Sequence, residues 1–581
     1  MSTRAAPYGS WESPVTANAI AAGAIPLGVA DIVGDTIYWS EGKPTESGRV
    51  TLVRLSPDGT RTEIVPSPFY VRTRVHEYGG GAFVIHDASA YFSNFADQRL
   101  YRVQDGAAPQ PVTPEPAVPS GERFADGCIT SDGRLMICVR EVHSDAGPDA
   151  DNHLAVLPTD GSAAPRTIVN GHDFFSNPRI SPDGKTLAWL AWDHPRMPWD
   201  GTELWLGDLA ADSSVSNTRR VAGGPEESIF QPEWSPNGLL HFVSDRTGWW
   251  NLYAWQNGRI DALAPMEAEF GVPQWVFGLS TYTFLRDGRI ICLYSKDGFD
   301  HLAVLESGGS LRDLSVPYTA ISPRLRNSGN TLVFVAASAT EAASVVRLDL
   351  ATGQHQVLAR SVPEAVDPGY VSRPRAIAFP TSGGKPAYAT YYPPTNADFV
   401  GPPGEQPPLI VESHGGPTAS SPARFSLETQ YWTSRGFGVV DVNYGGSTGF
   451  GREYRERLRG TWGIVDVEDC INAARYLAQQ GDVDGRRLAI RGGSAGGYTT
   501  LCALVFHDNF AAGASYYGVA DCEALAIDTH KFESRYLDSL IGPYPADKKV
   551  YEERSPIHYA DRLSCPVILF QGLEDRVVPP S

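Results

Sequence analysis

The sequence predicts a β-propeller of about seven blades followed by an α/β-hydrolase domain built on a doubly wound, mostly parallel sheet. Three observations lead there: a β-rich repeat in the first part of the chain, a change near residue 370 to alternating strand and helix patterns, and a Gly-x-Ser-x-Gly turn in that second part. At 581 residues the chain is too long for one hydrophobic core, so at least two domains are expected.

The repeat runs over residues 25–365. Its markers are tight Asp-Gly or Asn-Gly pairs between short alternating strands: Asp58-Gly59, Asp132-Gly133, Asp183-Gly184, Asn237-Gly238 and Asp287-Gly288, with Ser328-Gly329 a weaker version. The glycines are 74, 51, 54, 50 and 41 residues apart, and the widest gap leaves room for one more unit around Gly79 to Val103. Such pairs suit type I′ hairpins, whose central residues need positive φ. A β-rich period near 50 residues fits four-stranded propeller blades. Trp234 to Tyr253 is the clearest blade, and its aromatics read as packing between blades.

Residues 366–581 follow a different pattern. Strand-like Ala376–Phe379 and Ala387–Thr390 precede a Pro/Gly-rich loop at 393–408. Strands are then predicted at Leu409–Ser413, Gly438–Asn443, Leu488–Gly492, Ala514–Tyr517 and Pro566–Gln571, and helices at Phe425–Arg435, Val465–Gln480 and Ala495–Phe506. Regular alternation of β and α implies a parallel, doubly wound sheet.

The net charge of −19 argues against nucleic acid and anionic membrane as partners. It slightly favours an amine-bearing substrate, although solubility is explanation enough. The seven cysteines are widely spaced with no Cys-x-x-Cys pair, so zinc and redox motifs are absent. The first 14 residues lack an apolar signal core, and no run of 18 apolar residues occurs, so the cytoplasm is the expected location.

The chemistry centres on Arg491-Gly492-Gly493-Ser494-Ala495-Gly496-Gly497-Tyr498. A Gly-x-Ser-x-Gly motif at the end of a buried strand makes a strained strand-to-helix turn that presents the serine oxygen. Ser494 is therefore the predicted nucleophile. Ser413-His414-Gly415-Gly416-Pro417 closes an earlier strand, and a Gly-Gly turn there can aim a backbone N–H into the site. Gly416 is favoured over Gly415 as that donor, with the N–H of Ala495 completing an oxyanion hole. After the last apolar strand, Asp575 is the expected acid to orient a histidine, with its neighbour Glu574 second. The order Ser…Asp…His places the histidine after Asp575, yet none of the thirteen histidines lies beyond His558. His414 belongs to the oxyanion turn, and His558 reads as structural. The expectation is that the base lies beyond Ser581, and that without one, turnover falls about a million-fold.

Together these residues resemble the prolyl oligopeptidase family of serine peptidases. The resemblance rests on His414-Gly415-Gly416-Pro417, Asn443 to Gly451, Gly492 to Tyr498, and Gly572-Leu573-Glu574-Asp575-Arg576-Val577-Val578-Pro579. The His-Gly-Gly-Pro form looks like the acylaminoacyl-peptidase and bacterial dipeptidyl- or aminopeptidase branch. Val75 to Gly81 and His530-Lys531-Phe532-Glu533 look like its aminopeptidase-type members. The resemblance implies an N-terminal arm, residues 1–24, packed on the hydrolase. It also implies a propeller that admits short peptides and excludes folded proteins.

An exopeptidase needs a carboxylate for the free amine of its substrate, and Glu77 and Glu533 are the candidates. Tyr516 and Tyr517 are candidates for lining the pocket before the scissile bond. The leading expectation is a serine exopeptidase acting on short peptides or aminoacyl amides through an acyl-enzyme, with no metal or organic cofactor. The alternatives are an esterase or amidase for small xenobiotic or antibiotic amides, and a non-catalytic propeller scaffold carrying a degenerate hydrolase. Oligomeric state cannot be read from the sequence.

Overall fold

The structure is a computed structural model that describes residues 3–104, 106–144, 150–363, 365–575, 577–578 and 580. Seven sheets of consecutive antiparallel strands form the blades, over residues 27–63, 83–111, 122–169, 174–223, 229–262, 282–313 and 320–360. Six have four strands, and the seventh adds the short strand Arg326–Ser328. The ring closes without a shared strand: Ala30, Ile37 and Trp39 of the first blade bury against Val333, Val335 and Val345 of the last.

In the third to seventh blades the predicted glycine pairs join the first two strands, but the turn differs from expectation. Gly184 and Gly238 take positive φ of 72° and 79°, whereas Asp183 and Asn237 are not left-handed. A type I′ turn needs both central residues at positive φ. These hairpins instead end a right-handed turn on a single left-handed glycine. The preceding side chains hold it: Ser181 Oγ donates to Asp183 Oδ1 (2.6 Å), which also accepts from the Lys185 N–H (3.1 Å). The second blade lacks the signature because its first hairpin turns at Asp87, a non-glycine residue with φ of 51°.

The hydrolase sheet has seven strands: β1 (Arg375–Pro380), β2 (Pro386–Tyr392), β3 (Leu409–Ser413), β4 (Gly438–Asn443), β5 (Leu488–Gly493), β6 (Ala512–Tyr516) and β7 (Val567–Phe570). Their spatial order is β1-β2-β4-β3-β5-β6-β7, antiparallel through β2–β4 and parallel from β4 to β7. The central strand β3 opens on the apolar run Leu409-Ile410-Val411, which is buried as a strand covered on both faces requires. Helix Ala495–Phe506 buries ten of its residues and packs on β5 and β6. Helix Val465–Gln480 lies over β1, β3 and β4 and ends on left-handed Gly481. The predicted helix at 425–435 is trimmed to Leu427–Thr433, with Ser426 capping it by accepting from the Thr429 N–H.

Before the propeller, Arg4–Ala5 pairs in parallel with Phe399–Val400, Trp11 is buried, and Arg435 donates to the Val15 carbonyl (2.8 Å). Residues 4–15 thus contact the hydrolase. Between the two main bodies, the loop 529–535 sits at the propeller mouth. Lys531 Nζ donates to the carbonyls of Ala150 (2.9 Å) and Asp173 (3.0 Å), and Phe532 stacks on His76 of the propeller. Among the described residues no helix is long and apolar enough to cross a membrane.

Candidate active site

Ser494 joins β5 to helix Ala495–Phe506 with φ of 55° and ψ of −121°, a strained conformation for a residue with a Cβ. The Ser494 N–H donates to the Tyr516 carbonyl (2.9 Å), and the Ser494 carbonyl accepts from the Tyr498 N–H (3.0 Å). The flanking glycines are sterically required. A Cβ on Gly496 would overlap the Ser413 carbonyl oxygen, and one on Gly492 would overlap the backbone of Gly496. The Ser494 turn and the end of β3 therefore interlock backbone to backbone.

That close approach brings the Gly415–Gly416 turn to Ser494: a Cβ on Gly415 would sit 3.4 Å from the Ser494 Cβ. Gly416 has φ of 53° and lines one cavity of about 460 Å³ with Ser494, Ala495 and Asp575. Among the described residues neither the Gly416 N–H nor the Ala495 N–H finds an acceptor in the protein. Gly415, the other sequence candidate, does not line the cavity.

Asp575 accepts at Oδ1 from the N–H groups of Val577 (2.9 Å) and Val578 (3.0 Å), which fix the carboxylate at the end of β7. Its neighbour Glu574 is exposed and does not line the cavity. No histidine lines the cavity among the described residues. His414 faces away into the fold: its Nε2 pairs with Ser447 Oγ (2.7 Å), its ring stacks on Tyr444 (4.3 Å between centroids), and burial pushes its pKa down to about 4. His507 and His558 are exposed.

The cavity walls come from both bodies. Trp275 and Tyr78 reach in from the propeller, and Trp462, Val519, Leu525 and Tyr536 from the hydrolase. Trp275 Nε1 donates to the Thr418 carbonyl (2.8 Å), and Thr418 Oγ1 pairs with the Tyr536 hydroxyl (2.6 Å), fixing the aromatic wall across the interface. In this apolar space Glu533 is the lining carboxylate that Tyr78 contacts, its hydroxyl donating to Glu533 Oε2 (3.0 Å). His530 Nε2 lies 3.1 Å from the same oxygen. Burial first, and Glu533 second, raise the pKa of Tyr78, so its phenol stays a donor.

Two sequence candidates lie elsewhere. Glu77 does not line the cavity; its Oε1 accepts from Arg123 Nη1 (2.5 Å) inside the propeller. It is next to Tyr78 in a loop where His76, Glu77, Gly79, Gly80 and Gly81 all have positive φ. That loop must be tight, because a Cβ on Gly80 would sit 2.5 Å from the Phe277 carbonyl oxygen. Tyr516 stacks on Phe570 (4.9 Å, 9°) and is outside the cavity, whereas Tyr517, with φ of 41°, lines it. Tyr78, Trp275, Trp462 and Tyr536 were missed in the sequence, although Tyr78 belongs to a motif already singled out there.

The prolyl oligopeptidase family model matches residues 423–581. A solved puromycin-hydrolyzing peptidase of Mycobacterium tuberculosis is 45% identical, covering 99% of this chain and 90% of that one, with a TM-score of 0.96. The chain belongs to the prolyl oligopeptidase family. The solved puromycin hydrolase, and a mutant of it complexed with PGG, each match at 43% identity with a TM-score of 0.95 over 99% of this chain and 90% of theirs. Among curated relatives, dipeptidyl aminopeptidase BIII of Pseudoxanthomonas mexicana is 34% identical over 174 residues, which is 29% of this chain and 25% of that protein. The stretch shared with such relatives thus spans about a quarter of their length.

Proposed function

We propose that the protein is a serine exopeptidase that cleaves short peptides or aminoacyl amides through an acyl-enzyme on Ser494. The observation that carries this reading is the joint exposure of Ser494, the unpartnered N–H groups of Gly416 and Ala495, and Asp575 in one cavity. In the proposed reaction the Ser494 oxygen attacks the amide carbonyl while an imidazole takes its proton. The carbonyl oxygen becomes an oxyanion between the two N–H groups. Asp575 orients the imidazole, which returns the proton to the leaving amine, and water then releases the acyl group.

Glu533 is proposed as the anchor for the free amine. It is a carboxylate in an apolar cavity, where a charge-assisted hydrogen bond to an ammonium group is strong. Tyr517 is proposed as part of the side-chain wall. A second reading, an amidase for small antibiotic amides, is favoured by the likeness to puromycin hydrolase over nearly the whole chain. A cytoplasmic location is proposed on the seven free cysteines, which a reducing compartment preserves.

The test is Ser494→Ala, assayed on blocked and unblocked aminoacyl amides and on simple esters. Turnover should fall about a million-fold with the melting temperature retained. Persistent amide hydrolysis would refute the assignment. Equal turnover of blocked and unblocked amides would favour the amidase reading.

A further inference from the structure

We propose that two propeller carboxylates, Asp245 and Glu269, are positioning residues for the oxyanion turn, acting through the loop 443–451 and His414, so that docking of the propeller sets the direction of the Gly416 N–H. The inference rests on reading Ser494 as the nucleophile.

The argument starts at the donor. Gly415 C=O and Gly416 N–H belong to one trans peptide, so they point in opposite directions. The Gly415 carbonyl lies 3.1 Å from His414 Nδ1, and a carbonyl oxygen only accepts. Nδ1 therefore carries the proton, and in the neutral ring Nε2 must accept from the Ser447 hydroxyl (2.7 Å). Tyr444 completes the clamp, with its ring stacked on the imidazole and its hydroxyl donating to the His414 carbonyl (3.1 Å). Whatever holds Ser447 and Tyr444 thus holds the Gly415–Gly416 peptide plane, and with it the direction of the oxyanion donor.

Both residues lie on the loop from Asn443 to Gly451, which is tied to the short helix Arg452–Arg455. The Tyr454 hydroxyl donates to the Asn443 carbonyl (2.6 Å), and the Gly446 N–H donates to the Tyr454 carbonyl (2.9 Å). The same loop reaches the cavity wall through Thr448 N–H to the Ala419 carbonyl (2.8 Å).

This helix is where the propeller grips. Asp245 Oδ2 accepts from Arg452 Nη1 (2.9 Å) and Arg455 Nη2 (2.6 Å), with its side chain fully inaccessible to solvent. Glu269 Oε1 accepts from the Gly451 N–H (3.0 Å), and its Oε2 from the Trp250 N–H (2.8 Å). The Arg452 N–H donates to the Gly248 carbonyl (2.7 Å). Removing one partner of a buried, hydrogen-bonded charge pair weakens what holds the other, so Asp245 is a main fastening of this helix on the propeller. Between Glu269 and the Gly416 N–H there are only the loop, Ser447, one imidazole and one peptide plane.

The test uses the second-order rate of labelling by a small fluorophosphonate, with Ser494→Ala as the unlabelled control. Misaimed oxyanion donors should slow the reaction about tenfold to a hundredfold in Ser447→Ala and Asp245→Asn. Amide kinetics should show the loss in kcat with KM little changed, and Ser447→Thr should recover most of the rate. The double variant should be no slower than the slower single, since both act on one peptide plane. A merely structural latch predicts the opposite: a small probe would label Asp245→Asn as fast as wild type or faster. That result, or additive losses in the double variant, would overturn the inference. Glu269→Gln serves as the second variant if Asp245→Asn does not fold. Wild-type protein that fails to label at Ser494 would instead refute the nucleophile assignment.

Discussion

Replacing Glu533 by glutamine isolates amine recognition from catalysis. The side chain keeps its size, and its amide oxygen can still accept from the Tyr78 hydroxyl, now 3.0 Å from Oε2. What disappears is the negative charge in a cavity walled by Trp275, Trp462, Tyr536 and Leu537. A hydrogen bond to a charged group is worth about 1.5–3 kcal/mol, equivalent to about 10- to 150-fold in binding. The glutamine NH2 would also point a donor at a donor, which pushes the loss toward the upper end. The assay compares kcat/KM for an aminoacyl p-nitroanilide with that for its N-acetyl form. The free-amine substrate should lose about 10- to 150-fold while the acetylated one changes little. Equal losses on both substrates, or no loss on either, would refute Glu533 as the anchor, because its charge would then matter to folding or to nothing at this site.

Two further predictions concern stability. Gly496→Ala puts a methyl group against the Ser413 carbonyl, which cannot move without breaking the β3–β5 register; the unfolding free energy from urea titration should drop by at least the cost of overpacking, about 1–3 kcal/mol, and an unchanged midpoint would contradict the interlock. Burial raises the pKa of Glu269 to about 7, so the folded protein holds a proton that the unfolded chain releases near pH 4.5. Its contribution to stability is therefore present below about pH 4.5 and lost as pH rises toward 7. Glu269→Gln should remove up to about 3 kcal/mol of that pH dependence, seen as a flatter difference between unfolding at pH 5 and pH 8; identical slopes in the two proteins would refute it.

Much of the fold was legible because it is written in local chemistry. The glycine pairs of the third to seventh blades mark positions where the chain must go left-handed, and the alternation of β and α after residue 370 follows from a sheet buried on both faces. What failed did so for local reasons too. Asp87 took a left-handed φ in place of glycine and erased the second blade's signature. The Asp-Gly pairs suggested type I′ turns because the bonds from Ser181 and Lys185 to Asp183, which favour a right-handed turn, depend on side chains outside the pair.

The site divides along the same line. Ser494, Ala495, Gly416 and Asp575 follow strand ends, where backbone topology alone decides their place, and all four line one cavity. The residues that shape the cavity depend on which way a side chain faces. In a regular strand the alternation of two would have told Glu77 from Tyr78 and Tyr516 from Tyr517. Neither pair is in a regular strand: Glu77 lies among five residues of positive φ, and Tyr517 itself has φ of 41°. Each left-handed residue turns the following side chain away from the direction that alternation predicts. The strain that aims Tyr78 at Glu533 and turns Tyr517 into the cavity is therefore also what hid them, and the proposed substrate wall is built where the periodic signal stops.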